Sequence, residues 1–134
     1  MKKCPSPKVP VQSEYDLQKS LCLYIRLNYP QAIFTSDLSG IRLPMGLAVK
    51  TAKLRSSRAI PDLLIFEPRK GYHGLFIELK RPGVRFFKKN GQPATEHFAE
   101  QWEMIQRLLR KGYLACTANS FDSAKAIIDS YFTE

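Results

Sequence analysis

Two short apolar runs near the middle of the chain constrain its possible folds more than any other feature. Residues 63–66 read Leu-Leu-Ile-Phe, residues 75–79 read Leu-Phe-Ile-Glu-Leu, and the segment 68–74 between them is rich in turn-forming residues. Short apolar runs separated by Gly- and Pro-rich turns are typical of buried β-strands. The sequence therefore predicts a sheet with these two strands at its centre.

Capping residues and apolar spacing predict the elements around these strands. A helix should begin after the N-cap Ser13 and end near Pro30, because proline disfavours a helical predecessor. A strand is predicted at 32–35, a long loop or irregular hairpin at 36–60, a loop at 82–95 and a strand at 113–118. A second helix should run from Thr95 to Gly112, with an apolar stripe formed by Phe98, Trp102, Ile105, Leu108 and Leu109. A last helix should be capped by Ser120 and face inward with Ala124, Ile127, Ile128 and Tyr131. The order helix, strand, strand, strand, helix, strand, helix predicts an α/β fold, with one mixed sheet flanked by helices.

Length and composition predict one domain in an intracellular compartment. With 134 residues there is room for one core, so residues 13–134 form the predicted domain and the proline-containing residues 1–12 a flexible arm. No apolar run approaches the ~18 residues of a membrane span, and the basic start leads into no secretory signal. The three cysteines are widely spaced and odd in number, which fits no disulfide framework. We therefore expect a cytoplasmic protein with no membrane partner.

Positive charge is concentrated in the middle third of the chain. Lys and Arg number 21 against 12 Asp and Glu, a net charge of +9. Residues 42–89 hold 12 of those basic residues and only 3 of the acidic ones. Such clustering is expected of a face that binds phosphates, and it favours a nucleic-acid partner. A solvated basic surface that only maintains solubility is the alternative.

Two carboxylates and an amine are predicted to meet where the two central strands lie together. Asp62 opens one strand, and Glu78 and Lys80 near the end of the other point to the same face because side chains alternate along a strand. Two neighbouring carboxylates repel each other, and a hard cation such as Mg²⁺ would hold both ionised. Such a site suits phosphodiester hydrolysis. The alternative is that Asp62 caps a turn and the other two form a surface pair.

Three further polar residues are candidates for the same site. Glu14 lies on the same helix face as the apolar stripe of the first helix, and Gln18 follows one turn later. A metal would explain an acid at that position, and so would the helix dipole. Gln18 is expected to steady Glu14 or a metal-bound water. Gln101 flanks the stripe of the later helix, where a role in the site and an ordinary interfacial glutamine are equally good interpretations.

These motifs resemble a known family. Pro61-Asp62 and Glu78-Leu79-Lys80, with Glu14 upstream and Gln101 downstream, are similar to the PD-(D/E)XK nuclease superfamily. The closer resemblance is to the VRR-NUC (virus-type replication-repair nuclease) family, whose pattern also includes a Gln four residues after the first Glu, a basic stretch before Pro-Asp, and a late Gly-Tyr turn. Here those features are Gln18, residues 50–58 and Gly112-Tyr113. Ala59 replaces the usual glycine, and the 82–95 loop is long.

The resemblance implies a restriction-endonuclease-like core and a DNA endonuclease that depends on Mg²⁺ or Mn²⁺, with no small-molecule cofactor. It implies metal ligation by Asp62, Glu78 and the carbonyl of Leu79, with Glu14 near a second metal or its water, while Lys80 orients the nucleophile. Free-standing members are often phage-borne, which extends the expected location to a host cytoplasm. They act as homodimers on branched DNA such as four-way junctions, while larger members cut flaps. A non-catalytic DNA- or RNA-binding protein, a sequence-specific nuclease and an RNase remain alternatives.

The basic loops are the predicted contacts with DNA. Seven side chains are expected to bind it: Arg42, Lys50, Lys53, Arg55, Arg58, Lys88 and Lys89. Phe86 and Phe87 lie between basic residues in the sequence, so they are candidates for stacking on unpaired nucleobases. The alternative for these two rings is packing inside the domain or at a dimer interface. No base-reading helix is evident, which favours recognition of DNA structure over DNA sequence.

Overall fold

The computed structural model describes residues 13–38 and 41–134, so the predicted arm at residues 1–12 lies outside the described residues. Four helices and four strands follow one another along that part of the chain. They are α1 (Glu14–Asn28), β1 (Phe34–Ser36), α2 (Met45–Ala52), β2 (Leu63–Ile65), β3 (Leu75–Leu79), α3 (Glu96–Arg110), β4 (Leu114–Ala118) and α4 (Phe121–Phe132). None of these helices is both long enough and apolar enough to cross a membrane.

The four strands form one mixed sheet in the order β1-β2-β3-β4. The pairs β1–β2 and β2–β3 are antiparallel, and β3–β4 is parallel. This confirms the predicted α/β class with a mixed sheet. In the β2–β3 register Leu63 faces Ile77, so Asp62, one residue before Leu63, comes opposite Glu78, one residue after Ile77.

The two faces of the sheet pack against different helices. Leu63, Ile65 and Ile77 are fully buried in the larger cluster, which also includes three residues of α1 and three of α4: Leu17, Leu21, Ile25, Ala124, Ile128 and Tyr131. The opposite face carries Phe76, which packs with Ile105 of α3. Because side chains alternate along a strand, Glu78 and Lys80 share the face of Phe76 and point toward α3.

Side-chain caps fix the helix starts that the sequence predicts. Ser13 Oγ accepts a hydrogen bond from the Asp16 N–H at 3.1 Å, and Thr95 Oγ1 accepts one from the Phe98 N–H at 3.0 Å. Ser120 and Ser123 form a reciprocal capping box at the start of α4. After α3, Gly112 has a φ of +92°, a left-handed conformation that favours glycine.

Three details of the sequence prediction are wrong. The segment 36–60 contains α2, an eight-residue helix with no buried residue, where Pro44 and Gly46 favour a loop; Pro44 stands at the helix N-cap. The short strand begins at Phe34, two residues later than predicted. On α3 the buried residues are Gln101, Met104 and Ile105, while Trp102 and Leu109 are more than one-third exposed. The predicted stripe therefore coincides only in part, through Ile105 and Leu108, with the face that packs on the sheet.

Candidate active site

Asp62, Glu78 and Lys80 converge at the edge of β2 and β3 that faces α3. Asp62 immediately precedes β2, Glu78 belongs to β3, and Lys80 follows β3 directly. Their exposed fractions are 5%, 3% and 5%, respectively. The strand register and the alternation of side chains thus bring together the three residues that the sequence selected.

Gln101 of α3 links the acidic and the basic side chain. Its Nε2 donates to Oε1 of Glu78 at 2.8 Å, and its Oε1 accepts from Nζ of Lys80 at 2.6 Å. Nζ of Lys80 is also 3.3 Å from Oε1 of Glu78. Asp62, which lies beside Glu78, is held by the backbone as well, because its Oδ2 accepts a hydrogen bond from the Leu79 N–H at 2.9 Å. Each buried polar side chain of the group therefore has a partner.

The two carboxyl groups are difficult to ionise together. The pKa of Glu78 is raised to about 9, first because the side chain is buried and second because the carboxylate of Asp62 lies beside it. Burial also raises the pKa of Asp62, against the opposing effect of the Leu79 N–H. A cation between the two carboxylates would offset both penalties, so this donor set fits a hard divalent metal ion.

These residues form one wall of a cavity of about 410 Å³. The side chains around it come from α1, the segment before β2, β3 and α3: Glu14, Arg55, Arg58, Asp62, Glu78, Lys80, His97, Phe98 and Gln101. Within residues 13–38 and 41–134, no three Asp, Glu, His or Cys side chains form a metal-binding group. Glu14 therefore lines the cavity without completing a three-carboxylate cluster, and its role as a metal ligand stays a prediction.

Aromatic rings surround the ammonium group of Lys80. Nζ lies 4.6 Å from the ring centroid of Phe98 and 5.9 Å from that of Phe86, both within reach of a cation–π interaction. Phe86 is 8% exposed and stacks on Phe98, so for this ring the packing alternative is correct. Phe87 is half-buried, edge-on to Trp102. The cavity residues His97 and Phe98 were not among the site residues predicted from sequence, although Phe98 belonged to the apolar stripe.

Gln18 supports the site through backbone groups, including that of the cavity's acidic residue Asp62. Its Nε2 donates to the carbonyl oxygen of Asp37 at 3.0 Å and lies 3.2 Å from that of Asp62. The Asp37 N–H donates to the same Asp62 carbonyl at 2.8 Å. Gln18 thus joins α1 to the chain around Asp62, and its contact with Glu14 or a metal-bound water stays a prediction. No sequence motif indicated Asp37.

The predicted DNA-binding residues fall into two groups. Arg55 and Arg58 line the cavity, and Arg58 is paired with Glu100 through two hydrogen bonds of 2.7 Å. The other five are exposed and do not line the cavity: Arg42, Lys50, Lys53, Lys88 and Lys89. Only Arg55 and Arg58 therefore lie where they could contact a phosphate bound at Asp62 and Glu78.

Comparison with known proteins relates this architecture to one family fold. A solved structure described as a "VRR_NUC domain protein" is similar to this chain with a TM-score of 0.65. The two sequences are 24% identical, and the match covers 92% of this chain and 91% of that chain. The chain shares the fold of a VRR-NUC domain. No family model matches the sequence. No curated protein matches it either.

The shared fold confirms the restriction-endonuclease-like core that the sequence resemblance implied. In the order of elements, α2 is an addition to the seven that the sequence predicted. At this level of identity the likeness concerns the fold alone. Activity depends on the chemistry of the cavity and not on the fold.

Proposed function

We propose that this chain is a DNA endonuclease that hydrolyses phosphodiester bonds with the help of a divalent metal ion. The observation that carries the proposal is the buried pair Asp62–Glu78, connected through Gln101 to Lys80 within one cavity. Burying two acids side by side is costly unless they hold a cation. A cation at the wall of an arginine-lined cavity suits a phosphate substrate.

Asp62 and Glu78 would hold the metal ion, Mg²⁺ or Mn²⁺. Both offer carboxylate oxygens, the ligands that such hard cations prefer. The family resemblance adds the Leu79 carbonyl and Glu14 to the proposed ligands. When bound, the ion would supply positive charge at the phosphate and lower the pKa of a water molecule at the site.

The remaining residues would orient the reacting groups. Lys80 carries a buried ammonium group whose position is fixed by Gln101 and by the ring of Phe98, so it would orient the attacking water. Gln101 would hold the side chains of Lys80 and Glu78 at a fixed distance from each other. The guanidinium groups of Arg55 and Arg58 would attract the DNA backbone into the cavity.

We further propose branched DNA, a four-way junction or a flap, as the preferred substrate of a homodimer. The net charge of +9 and its concentration in residues 42–89 support binding to the DNA backbone, which is sequence-independent. Symmetric cutting of a junction needs two sites, and each chain would supply one. Light scattering of the protein alone and with a junction tests this point, and a monomer in both samples would overturn it.

Cleavage assays on labelled DNA test the catalytic proposal. We expect wild-type protein to cut in Mg²⁺ or Mn²⁺ and not in EDTA, and Asp62→Asn, Glu78→Gln and Lys80→Ala to abolish cutting while DNA binding persists. Glu103→Gln is the matched control, since Glu103 is an exposed acid on α3. Metal-dependent cutting that survives all three changes would overturn the assignment.

The choice of substrate separates the remaining alternatives. A panel of duplex, flap, four-way junction and RNA would be cut to different extents, and we expect the branched DNA to be cut fastest. Preferential cutting of RNA, or of one duplex sequence, would replace the proposed substrate. Salt-sensitive binding without any metal-dependent cut would indicate a non-catalytic nucleic-acid-binding protein.

A further inference from the structure

Arg55 differs from its basic neighbours in the way its side chain is held. The side chain is only 18% exposed, and its Nη1 donates to Oδ2 of Asp37 at 3.1 Å, where Asp37 is 13% exposed. Lys53, two residues earlier, is exposed. Ordering a long side chain costs conformational entropy, and a partly buried ion pair restrains this one. The guanidinium of Arg55 is therefore positioned before any ligand arrives.

That position is tied to Asp62 through the backbone. The Asp37 N–H donates to the carbonyl oxygen of Asp62 at 2.8 Å. Gln18 bridges the carbonyl oxygens of the same two residues, at 3.0 and 3.2 Å. Arg55 is thus connected to a proposed metal ligand by one ion pair and one backbone hydrogen bond, and it lines the same cavity.

One donor of Arg55 has no acceptor. Its Nε is buried and makes no hydrogen bond to any described residue. A buried donor without a partner is destabilising, so the guanidinium of Arg55 is not fully satisfied by the protein's own groups. Arg58, the other arginine of the cavity, already uses two donors on Glu100. Nη1 of Arg55 is engaged by Asp37 and Nε is buried, so a phosphate oxygen would contact the part of the guanidinium that lines the cavity.

We propose that Arg55 is a catalytic residue whose guanidinium group donates to a non-bridging oxygen of the phosphate being cleaved, with Asp37 as its positioning residue. This inference rests on the proposed nuclease function and deepens it. A fixed guanidinium would stabilise the negative charge that grows on the phosphate in the transition state, and it would pay no reorganisation cost at that moment. The other basic residues outside the cavity would contribute to DNA affinity alone.

Single-turnover cleavage at saturating DNA tests the proposal. Arg55→Gln should lower the cleavage rate about 100-fold, the usual effect of losing one preorganised donor, while DNA affinity falls only as expected for one lost charge. Arg55→Lys keeps the charge without the planar fork and should give an intermediate rate. The matched control is Arg26→Gln, an exposed arginine near the other end of α1 from Glu14, which should leave the rate unchanged.

A substrate change provides a second readout that needs no cleavage. A methylphosphonate at the mapped cut position removes the charge of that one phosphate. In EDTA, it should weaken binding to wild-type protein about 10-fold, the value of one charge-assisted hydrogen bond, and weaken binding to Arg55→Gln much less. Equal losses for the two proteins would overturn the contact with that phosphate.

The outcomes distinguish this inference from the function on which it rests. Wild-type cleavage with equal rates for Arg55→Gln and Arg26→Gln overturns the role of Arg55 and leaves the nuclease intact. A wild-type protein that never cuts overturns both. Thermal melting shows whether Arg55→Gln is folded. If it is not, Arg55→Lys is the deciding variant, because a cleavage rate equal to that of wild type would overturn the role of the planar guanidinium.

Discussion

The ammonium group of Lys80 donates a 2.6 Å hydrogen bond to the side-chain oxygen of Gln101, a residue of a helix 21 positions further along the chain. The amide nitrogen of Gln101 donates in turn to Glu78. One neutral side chain therefore fixes the distance between a buried acid and a buried base.

Gln101→Ala should impair cleavage much more than DNA binding. The change leaves Glu78 and Lys80 buried with one partner fewer, so both side chains gain freedom at the proposed reaction centre. Losing a residue that orients metal ligands typically costs about 10–100-fold in activity. Cleavage and binding assays measure the two effects, with Gln106→Ala on the same helix as control. Equal activity of the two variants would contradict the prediction.

Asp62→Asn should stabilise the protein in EDTA, although it removes activity. One of two adjacent buried acids becomes neutral, while the new amide oxygen still accepts from the Leu79 N–H. Removing the repulsion between two adjacent buried acids is worth about 1–2 kcal/mol in the free energy of unfolding. Urea denaturation in EDTA and in Mg²⁺ measures this change.

The same experiment tests the proposed metal ligands. Mg²⁺ should raise the stability of wild-type protein, because an ion that binds only the folded state shifts the unfolding equilibrium. It should have little effect on Asp62→Asn. A variant that is less stable than wild type in EDTA, or equal Mg²⁺ effects on both proteins, would count against the arrangement.

Protonation of Asp129 should account for part of the loss of folding stability at acid pH. Its pKa is lowered to about 2, mainly by the hydrogen bond from Lys125 and then by those from the hydroxyl groups of Tyr24 and Tyr29. A lowered carboxyl pKa means that the stabilisation is complete above the ordinary value of 3.8 and is lost as the pH falls toward 2. Asp129→Asn should remove that pH dependence and lower stability at pH 7 by about 1 kcal/mol after allowance for solvent screening.

Urea denaturation between pH 5 and pH 2 measures the contribution of Asp129. The control is Asp122→Asn, an exposed aspartate on the same helix, which should keep the wild-type slope. If Asp129→Asn and wild type lose stability in parallel over this range, Asp129 is not the group responsible.

Lys53→Gln should make DNA affinity less dependent on salt concentration. Lys53 is exposed and does not line the cavity, so we expect it to neutralise one phosphate. The slope of log affinity against log salt concentration should then become shallower by about 0.9 on duplex DNA. Fluorescence anisotropy over a salt series measures the slope, with Lys111→Gln as control. A slope identical to that of wild type would exclude a phosphate contact at this position.

The sequence alone was sufficient for the central strands and the helix starts. Strand geometry has a period of two, so Glu78 and Lys80 had to share a face, and turn-flanked apolar runs identified both strands. Ser13, Thr95 and Ser120 cap their helices through hydrogen bonds to residues three positions away, which local sequence records directly.

Local sequence did not predict which face of a helix becomes buried. The apolar stripe of α3 suggested that Trp102 and Leu109 were inside, whereas packing on the sheet buried Gln101 and Met104. The helix α2 was missed because it is short, none of its residues is buried, and Pro44 and Gly46 at its start are residues typical of loops. How a helix is rotated depends on what it packs against.

Local sequence was therefore enough for strand alternation and helix caps, and it put Asp62 beside Glu78 on the condition that the two apolar runs pair as neighbouring strands. Folding was needed to connect Glu78 to Lys80 through Gln101, and to hold Arg55 beside Asp62 through Asp37. These contacts join residues many positions apart and depend on burial, hydrogen-bond geometry and charge after folding. No periodicity or spacing in the chain encodes them, because they are set by how the elements pack together.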